Sequence, residues 1–235
     1  MQRQPTTTFV SVDAYLEGEL ESQVRHEYVD GEIYAMVGAS DRHGLITLNL
    51  AGYLSQRLPD RCQVFSSDMK VRLRAAEREI FYYPDVLVSC DPRDREPYYR
   101  QYPCLVIEVL SPHTARLDRF EKLMFYRNLD SLEEYLLVSQ EYRQVEVFRR
   151  SEQWGATRYT KGEVPLQSVD LAVTIDEIYL QGGGGKTADQ LYEEGMAAIE
   201  DLRLEVDHLR AELSEVHERL DFTERMLTKG DAPAT

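Results

Sequence analysis

Two apolar stretches of the chain each carry one carboxylate where an aliphatic residue would be expected. Asp85 interrupts Tyr83–Val88, and Glu108 interrupts Cys104–Leu110. Carboxylates are seldom buried unless they are paired or bound to a metal, because an unpaired buried charge is strongly destabilising. A bridging Mg²⁺ or Mn²⁺ ion would relieve both, since these ions favour oxygen ligands. With Lys122 in the helix-like segment that follows, these residues are the ingredients of a metal-assisted site for phosphodiester chemistry.

Simpler local roles exist for all three residues. Either carboxylate could lie at a solvated strand end or in an ion pair, and Lys122 could form a surface pair with Asp118, four residues earlier. Asp118, Lys122 and Tyr126 share one helix face. Lys122 can reach a scissile phosphate only if this helix packs beside the Glu108 strand, where the ammonium could orient water or neutralise transition-state charge.

The composition is that of a globular protein: 235 residues, 43% hydrophobic and 29% charged. The net charge of −15 argues against a general nucleic-acid coat protein, whose phosphate contacts require positive charge. No apolar stretch reaches the roughly 18 residues of a transmembrane helix, and the N-terminus lacks a signal-peptide core, so we expect a cytoplasmic protein without membrane contact. The three cysteines have no metal-ligand spacing and two lie in apolar stretches, which predicts buried free thiols.

Turn, capping and alternation signals predict the elements around these residues. Asp30-Gly31 predicts a β-hairpin, and Ser40 predicts the cap of a helix that continues to about Leu58. A second helix is predicted at 114–129. Strands are predicted at 63–66, 68–74, 80–88, 104–110, 134–138, 144–149 and 156–160, followed by a strand and a short turn within 171–180.

A glycine-rich linker at 181–186 separates a domain at 1–180 from a heptad segment at 187–229, which a disordered tail follows at 230–235. Apolar residues step by three and four through the heptad segment: Ile199, Leu202, Val206, Leu209, Leu213, Val216 and Leu220. This spacing is typical of a coiled coil. We therefore expect residues 195–227 to join two copies as a homodimer, most simply a parallel one. A lone helix folded back on the first domain is the alternative.

Five motifs, in this order, resemble those of a known nuclease family: EYVDGEI, SDRHG, YYPDVLV, LVIEVLSPHT and DRFEKLMFYR. Together they are similar to the bacterial Uma-type restriction endonucleases, within the PD-(D/E)xK nuclease superfamily, over about residues 9–180. The resemblance implies an α/β fold with a restriction-endonuclease-like mixed β-sheet core flanked by helices. The C-terminal coiled-coil helix lies outside the resemblance.

The resemblance also implies roles for individual residues. Asp85 and Glu108 would be the paired metal ligands. The superfamily lysine is expected two residues after the glutamate, where this chain has Leu110, but the family is similar in placing its lysine on the next helix, where Lys122 stands. Glu27 matches an early acidic position and would touch the metal or its water. The alternative for Glu27 is a surface charge on an edge hairpin.

Two further residues are implicated near the predicted site. His43 matches a family histidine near a helix start, which implies a phosphate contact or a proton relay, with a capping or packing histidine as the alternative. Asp68 would add a metal ligand from the segment before an alternating strand, and a turn residue is the alternative.

Together these features predict a Mg²⁺- or Mn²⁺-dependent endonuclease that hydrolyses phosphodiester bonds in DNA. Its catalytic residues would be Asp85, Glu108, Lys122, Glu27 and His43, with Asp68 as a further metal ligand. Two other functions stay open. A nuclease-like fold could be retained as a nucleic-acid or protein binding module that oligomerises through its C-terminal helix, as the acidic charge and the displaced lysine suggest. The other open function is that of an adaptor organised around the heptad helix, with the nuclease-like domain attached.

Overall fold

The computed structural model describes residues 9–36, 38–75, 77–111, 117–182, 190, 192–193, 195–207 and 209–210. The chain divides into two compact units, residues 1–187 and residues 188–235. The first unit contains the β-sheets and the candidate site. In the second, residues 190, 192–193, 195–207 and 209–210 are α-helical. The other residues of the predicted heptad segment, together with the tail at 230–235, lie outside the described residues.

The described residues form strands and short helices in an irregular alternation. The helices are α1 (Val12–Glu21), α2 (Asp41–Arg57), α3 (Leu123–Tyr126) and α4 (Ile175–Ile178), with a π-helical segment at Leu117–Lys122. The strands are β1 (His26–Val29), β2 (Glu32–Ala35), β3 (Gln63–Ser66), β4 (Lys70–Ala75), β5 (Arg78–Tyr82), β6 (Val86–Ser89), β7 (Tyr99–Arg100), β8 (Leu105–Leu110), β9 (Glu134–Ser139), β10 (Val145–Arg149), β11 (Ala156–Tyr159), β12 (Glu163–Leu166) and β13 (Leu171–Thr174).

Two mixed sheets make up most of the first unit. The larger has the order β11-β10-β9-β8-β6-β3, and the smaller has the order β2-β1-β5-β4-β7. In the larger sheet β8 and β9 are parallel, with Glu108 opposite Leu137, and the other neighbours are antiparallel. Strands β12 and β13 form a separate hairpin. The prediction of a mixed α/β fold is confirmed.

The larger sheet is covered on both faces, which explains why β8 is apolar except for Glu108. On one face, Ile46, Leu50 and Leu54 of α2 pack in a cluster with residues such as Val86 and Ile107. On the other face, a second cluster joins the larger sheet to β4, β5 and α3 through Leu87, Val106, Leu110, Val71, Leu73, Ile80, Tyr82 and Tyr126. Glu108 therefore projects toward the layer between the two sheets.

The short-range signals are confirmed. Asp30 and Gly31 have φ values of +50° and +93°, which suits the tight turn between β1 and β2. The Ser40 hydroxyl accepts a hydrogen bond from the backbone N–H of His43 at 3.2 Å and caps α2. These signals succeed because each depends on the conformation of only two to four adjacent residues.

Two predicted elements are wrong in extent. The strand predicted at 80–88 is two strands in different sheets, because β5 pairs with β1 and β4 whereas β6 pairs with β3 and β8. Apolar residues continue on both sides of the crossing, so only Pro84 and Asp85 mark it in the sequence. The helix predicted at 114–129 is the π-helical segment followed by α3, which ends at Tyr126. Residues 112–116 lie outside the described part.

The prediction of three free thiols is also wrong. Cys62 and Cys90 form a disulfide, and Cys104 is free, with its Sγ 3.9 Å from that of Cys90. Cys62 directly precedes β3 and Cys90 directly follows β6. Antiparallel pairing places Gln63 opposite Ser89, so the two flanking cysteines meet. Sequence spacing could not predict this disulfide, because it depends on the register between β3 and β6, which are at least 20 residues apart in the sequence.

Candidate active site

The Asp85 carboxylate lies where the chain passes from the smaller sheet to the larger one, between β5 and β6 rather than inside a strand. One oxygen, Oδ2, accepts a hydrogen bond from the backbone N–H of Val109 at 2.6 Å. The other, Oδ1, lies 2.8 Å from Nε2 of His43. Because Val109 follows Glu108 in β8, the backbone of the Glu108 strand itself fixes the position of Asp85.

Glu108 lies within β8 and is only 3% exposed. Its Oε1 accepts hydrogen bonds from Nζ of Lys122 at 3.0 Å and from the hydroxyl of Tyr126 at 3.4 Å. Burial raises the pKa of Glu108, Lys122 opposes the increase, and the neighbouring charges of Asp118 and Asp85 add to it. The net pKa is well above the ordinary value of a glutamate, so the carboxylate is held in an environment that favours gain of a proton or a cation.

Lys122 links the acidic residues of the site. It is the last residue of the π-helical segment and is 5% exposed. Its Nζ lies 3.0 Å from Glu108 Oε1, 3.0 Å from Glu27 Oε1 and 3.2 Å from Asp118 Oδ1. Burial lowers the pKa of Lys122, but these three carboxylates outweigh burial and raise the pKa well above its ordinary value. The side chain is therefore a permanent cation at physiological pH.

Glu27 brings the smaller sheet into the site. It lies on β1 beside Tyr28, whose ring packs on the opposite face with Tyr15 and Phe81. Alternation along the strand turns the Glu27 side chain toward the layer between the sheets, where it meets Lys122. The edge-hairpin surface role considered for Glu27 does not apply, because the residue is only 7% exposed.

His43 reaches the site from the first turn of α2. Its side chain is 16% exposed and its Nε2 contacts Asp85. Burial alone lowers the pKa of His43, but the hydrogen bond and the charge of Asp85 reverse this and leave the pKa above 6.5. The position is fixed locally, because the Ser40 cap sets the start of α2 three residues earlier.

Asp68 is placed differently from the other candidates. Its side chain is 74% exposed and forms an ion pair with the guanidinium of Arg25. The chain near Asp68 does approach the site, since the backbone N–H of Ser67 donates to the carbonyl of Asp85 at 3.0 Å. The structure thus brings Asp85, Glu108, Lys122, Glu27 and His43 together and leaves the carboxylate of Asp68 in solvent.

Two members of the site were missed as site residues by sequence reasoning. Asp118 is 2% exposed, so its contact with Lys122 is a buried ion pair and not a surface one. Tyr126 is fully buried and its hydroxyl faces Glu108. The signal for both was the four-residue spacing around Lys122, which indicated a shared face but not that the face is buried.

The arrangement has clear chemical possibilities. A buried ammonium lies between carboxylates from β1, β8 and the π-helical segment, and a carboxylate–imidazole pair lies next to it along β8. Among the residues that the structure describes, no group of three or more His, Cys, Asp or Glu side chains is arranged to hold a metal ion. A metal here would have to use fewer protein ligands, with water or substrate completing its shell.

The fold is that of a nuclease-like α/β protein. A solved structure with a similar fold is described as "a putative nuclease belonging to DUF820", from Anabaena variabilis. It aligns with a TM-score of 0.59 and 18% identity, over 72% of this chain and 97% of the other. At that identity the likeness establishes the fold alone.

Sequence comparison establishes the family. Residues 12–176 match the Uma2 family, described as "Putative restriction endonuclease", so the chain belongs to that family. Two relatives from Synechocystis sp. are uncharacterized proteins. One is 35% identical over 175 residues, covering 72% of this chain and 91% of the relative, and the other is 37% identical over 155 residues, covering 63% and 86%. The family resemblance predicted from the five motifs is confirmed.

In the described part of the chain, the helices are too short or too polar to cross a bilayer.

Proposed function

We propose that this protein is a metal-dependent endonuclease that hydrolyses phosphodiester bonds in DNA. The observation that carries the proposal is the 3.0 Å contact between Nζ of Lys122 and Oε1 of Glu108. It joins a lysine from the helical segment after β8 to a carboxylate inside β8, beside the carboxylate of Asp85. A buried lysine paired with strand carboxylates is suited to phosphoryl chemistry, in which negative charge develops on oxygen.

Mg²⁺ or Mn²⁺ is the cofactor that this donor set fits. Asp85 and Glu108 offer only hard oxygen ligands, and Mg²⁺ is commonly bound by one or two carboxylates together with water and substrate phosphate. Burial first, and then the carboxylates of Asp118, Asp85 and Glu27, raise the pKa of Glu108, so added positive charge is favourable at this site. When bound, the ion would supply Lewis-acid activation of water and of the scissile phosphate.

The residues of the chain have distinct roles in this proposal. Lys122, always protonated, neutralises charge on the phosphate as the water oxygen bonds to phosphorus and the bond to the leaving oxygen breaks. His43, with a pKa above 6.5, accepts the proton that the attacking water loses, and Asp85 orients its ring. A solvent water protonates the leaving oxygen. Glu27 and Asp118 are positioning residues, because they touch Lys122 and hold its Nζ beside Glu108.

A second function is favoured by one specific observation. Nζ of Lys122 lies close to three carboxylates, and a lysine that neutralises buried acids can be purely structural. If the nuclease-like fold serves as a module that binds nucleic acid or protein, Lys122 needs no role beyond this structural one. Calorimetry separates the two functions, because the enzyme binds Mn²⁺ at millimolar concentration and the module does not.

Cleavage of supercoiled plasmid tests the enzymatic function directly. We expect nicking by the full chain with Mg²⁺ or Mn²⁺ and none with EDTA. Glu108→Gln, which keeps the side-chain volume, should reduce the rate at least about a hundredfold. Glu134→Gln is the matched control, because Glu134 is also buried in a strand but pairs with Arg149, apart from Lys122. Equal cleavage by Glu108→Gln and the native protein would contradict the proposal.

A further inference from the structure

The C-terminal helix carries an exposed apolar stripe. Its members are Ile199, Leu202, Val206 and Leu209, with exposed fractions of 59%, 61%, 45% and 52%. They follow one another at intervals of three, four and three residues, so they lie on one side of the helix. We call these four residues the heptad seam. Large aliphatic side chains left together in water mark an interaction surface.

The residue types in the heptad seam select a partner geometry. The first position of each heptad, a, holds Ile199 and Val206, and the fourth position, d, holds Leu202 and Leu209. β-Branched residues at a with leucine at d favour two parallel helices. The spacing by three and four continues in the sequence beyond the described residues, but there leucine occupies position a, at Leu213 and Leu220, and valine occupies position d, at Val216.

The charged residues that flank the heptad seam distinguish parallel from antiparallel pairing. Glu205 occupies position g, and Arg203 and Arg210 occupy position e. In a parallel pair, g of one helix faces e of the next heptad of its partner, so Glu205 meets the partner's Arg210. In an antiparallel pair, g faces g and e faces e, which would place like charges together.

Arg210 is available for that contact. Its Nη1 lies 3.6 Å from Oδ1 of Asp207 within the same helix, and the two side chains are 77% and 62% exposed. Such an exposed pair contributes little, so its loss opposes dimerisation only weakly.

We propose that the heptad seam binds the seam of a second copy of this chain in a parallel coiled coil, with Glu205 of each copy paired to the partner's Arg210. The occupant is a second copy because the same helix supplies both members of the complementary charge pair, as an isologous interface requires. In the parallel arrangement the N-terminal ends of the two helices lie together, and residues 1–187 precede these ends in the sequence. Each assembly would then carry two copies of the candidate active site.

Sedimentation equilibrium of the full chain over a range of concentrations tests the interface. We expect a mass of twice 27.2 kDa for the native protein. Leu202→Glu and Leu209→Glu should give monomers, because each places a charge inside the heptad seam. Leu204→Glu is the matched control, since Leu204 is 62% exposed on the same helix but lies outside the seam, and it should remain dimeric. A monomeric native protein, or a dimer that survives both seam substitutions, would overturn the proposal.

Charge reversal tests the orientation. Glu205→Arg should weaken the dimer about threefold to tenfold, because each contact between positions g and e would then hold two arginines. Adding Arg210→Glu in the same chain should restore the affinity, because each contact would again hold opposite charges. Both effects should diminish at high salt. An antiparallel pair would not lose a salt bridge to Arg210 through Glu205→Arg, because position g does not face position e there. Unchanged affinity for Glu205→Arg would therefore overturn the parallel arrangement.

Discussion

Removal of the buried ammonium group of Lys122 should lower the free energy of unfolding, because the carboxylates around it would be left without a cation. In Lys122→Met the side chain keeps its length but Glu108, Glu27 and Asp118 lose the cation that lies 3.0 to 3.2 Å from each. All four residues are at most 7% exposed, so solvent screening is slight. Removing one partner of a buried ion pair costs about 3–5 kcal/mol. We expect a loss of that size in the free energy of unfolding at neutral pH.

The loss should depend on pH in a defined direction. The pKa of Glu108 is already raised in the folded state, and Lys122 is the neighbour that lowers it, so Lys122→Met raises it further. A carboxyl whose folded pKa is raised contributes stability below its unfolded pKa and loses that contribution as pH rises through the folded pKa. The variant should therefore be closest to the native protein near pH 4.5 and fall further behind as the pH rises toward 8.

Urea unfolding followed by tryptophan fluorescence measures this effect. The single tryptophan, Trp154, packs against the core of the first unit and reports on that unit alone. Lys122→Arg keeps the charge and should lose less stability than Lys122→Met. Lys161→Met, at an exposed lysine, should change stability by less than about 0.5 kcal/mol. A loss below about 1 kcal/mol for Lys122→Met, or one that does not vary with pH, would refute the reasoning.

Three other predictions follow from single contacts. Asp85→Asn should lower the pKa of His43, because the hydrogen bond and the charge of Asp85 raise it, and NMR titration of the imidazole measures the change. The stability that this pair contributes should be complete below pH 6.5 and decline as pH rises through the folded pKa of His43. Reduction of the Cys62–Cys90 disulfide should lower the free energy of unfolding by about 3 kcal/mol, as judged from unfolding with and without dithiothreitol, and thiol titration of the denatured protein should find one thiol before reduction. Gly31→Ala should destabilise the protein by about 1–2 kcal/mol in the same unfolding assay, because φ is +93° and an added Cβ would meet the ring of Phe9.

Local features of the fold could be predicted because their causes lie within a few residues. The Asp30-Gly31 turn, the Ser40 cap and the apolar β8 strand each follow from backbone preference or burial at one position. The crossing between the sheets at Tyr83–Asp85 could not be predicted, since apolar residues continue on both sides. Because of this crossing, Asp85 lies between β5 and β6 and not within a strand, and its carboxylate accepts a hydrogen bond from the backbone of Val109.

Five residues that meet at the candidate site could be singled out from the sequence, but their contacts could not, and Asp118 and Tyr126 were missed. The carboxylates stood out because their neighbours are apolar, whereas the burial of Asp118 depends on how the π-helical segment packs against the larger sheet. The pairing of Asp68 is also long-range, because its carboxylate forms an ion pair with Arg25, which lies 43 positions away in the sequence. The surroundings of Asp118 and Asp68 depend on contacts between residues far apart in the sequence, and a local sequence pattern cannot predict such contacts.

A crystal structure of the protein soaked in millimolar Mn²⁺ tests the central claim most directly. We predict an anomalous-difference peak within about 2.2 Å of carboxylate oxygens of both Asp85 and Glu108, with Nζ of Lys122 still facing the site. A structure in which Lys122 remains among the carboxylates and no manganese binds Asp85 or Glu108 would contradict the metal-dependent nuclease and favour the binding module.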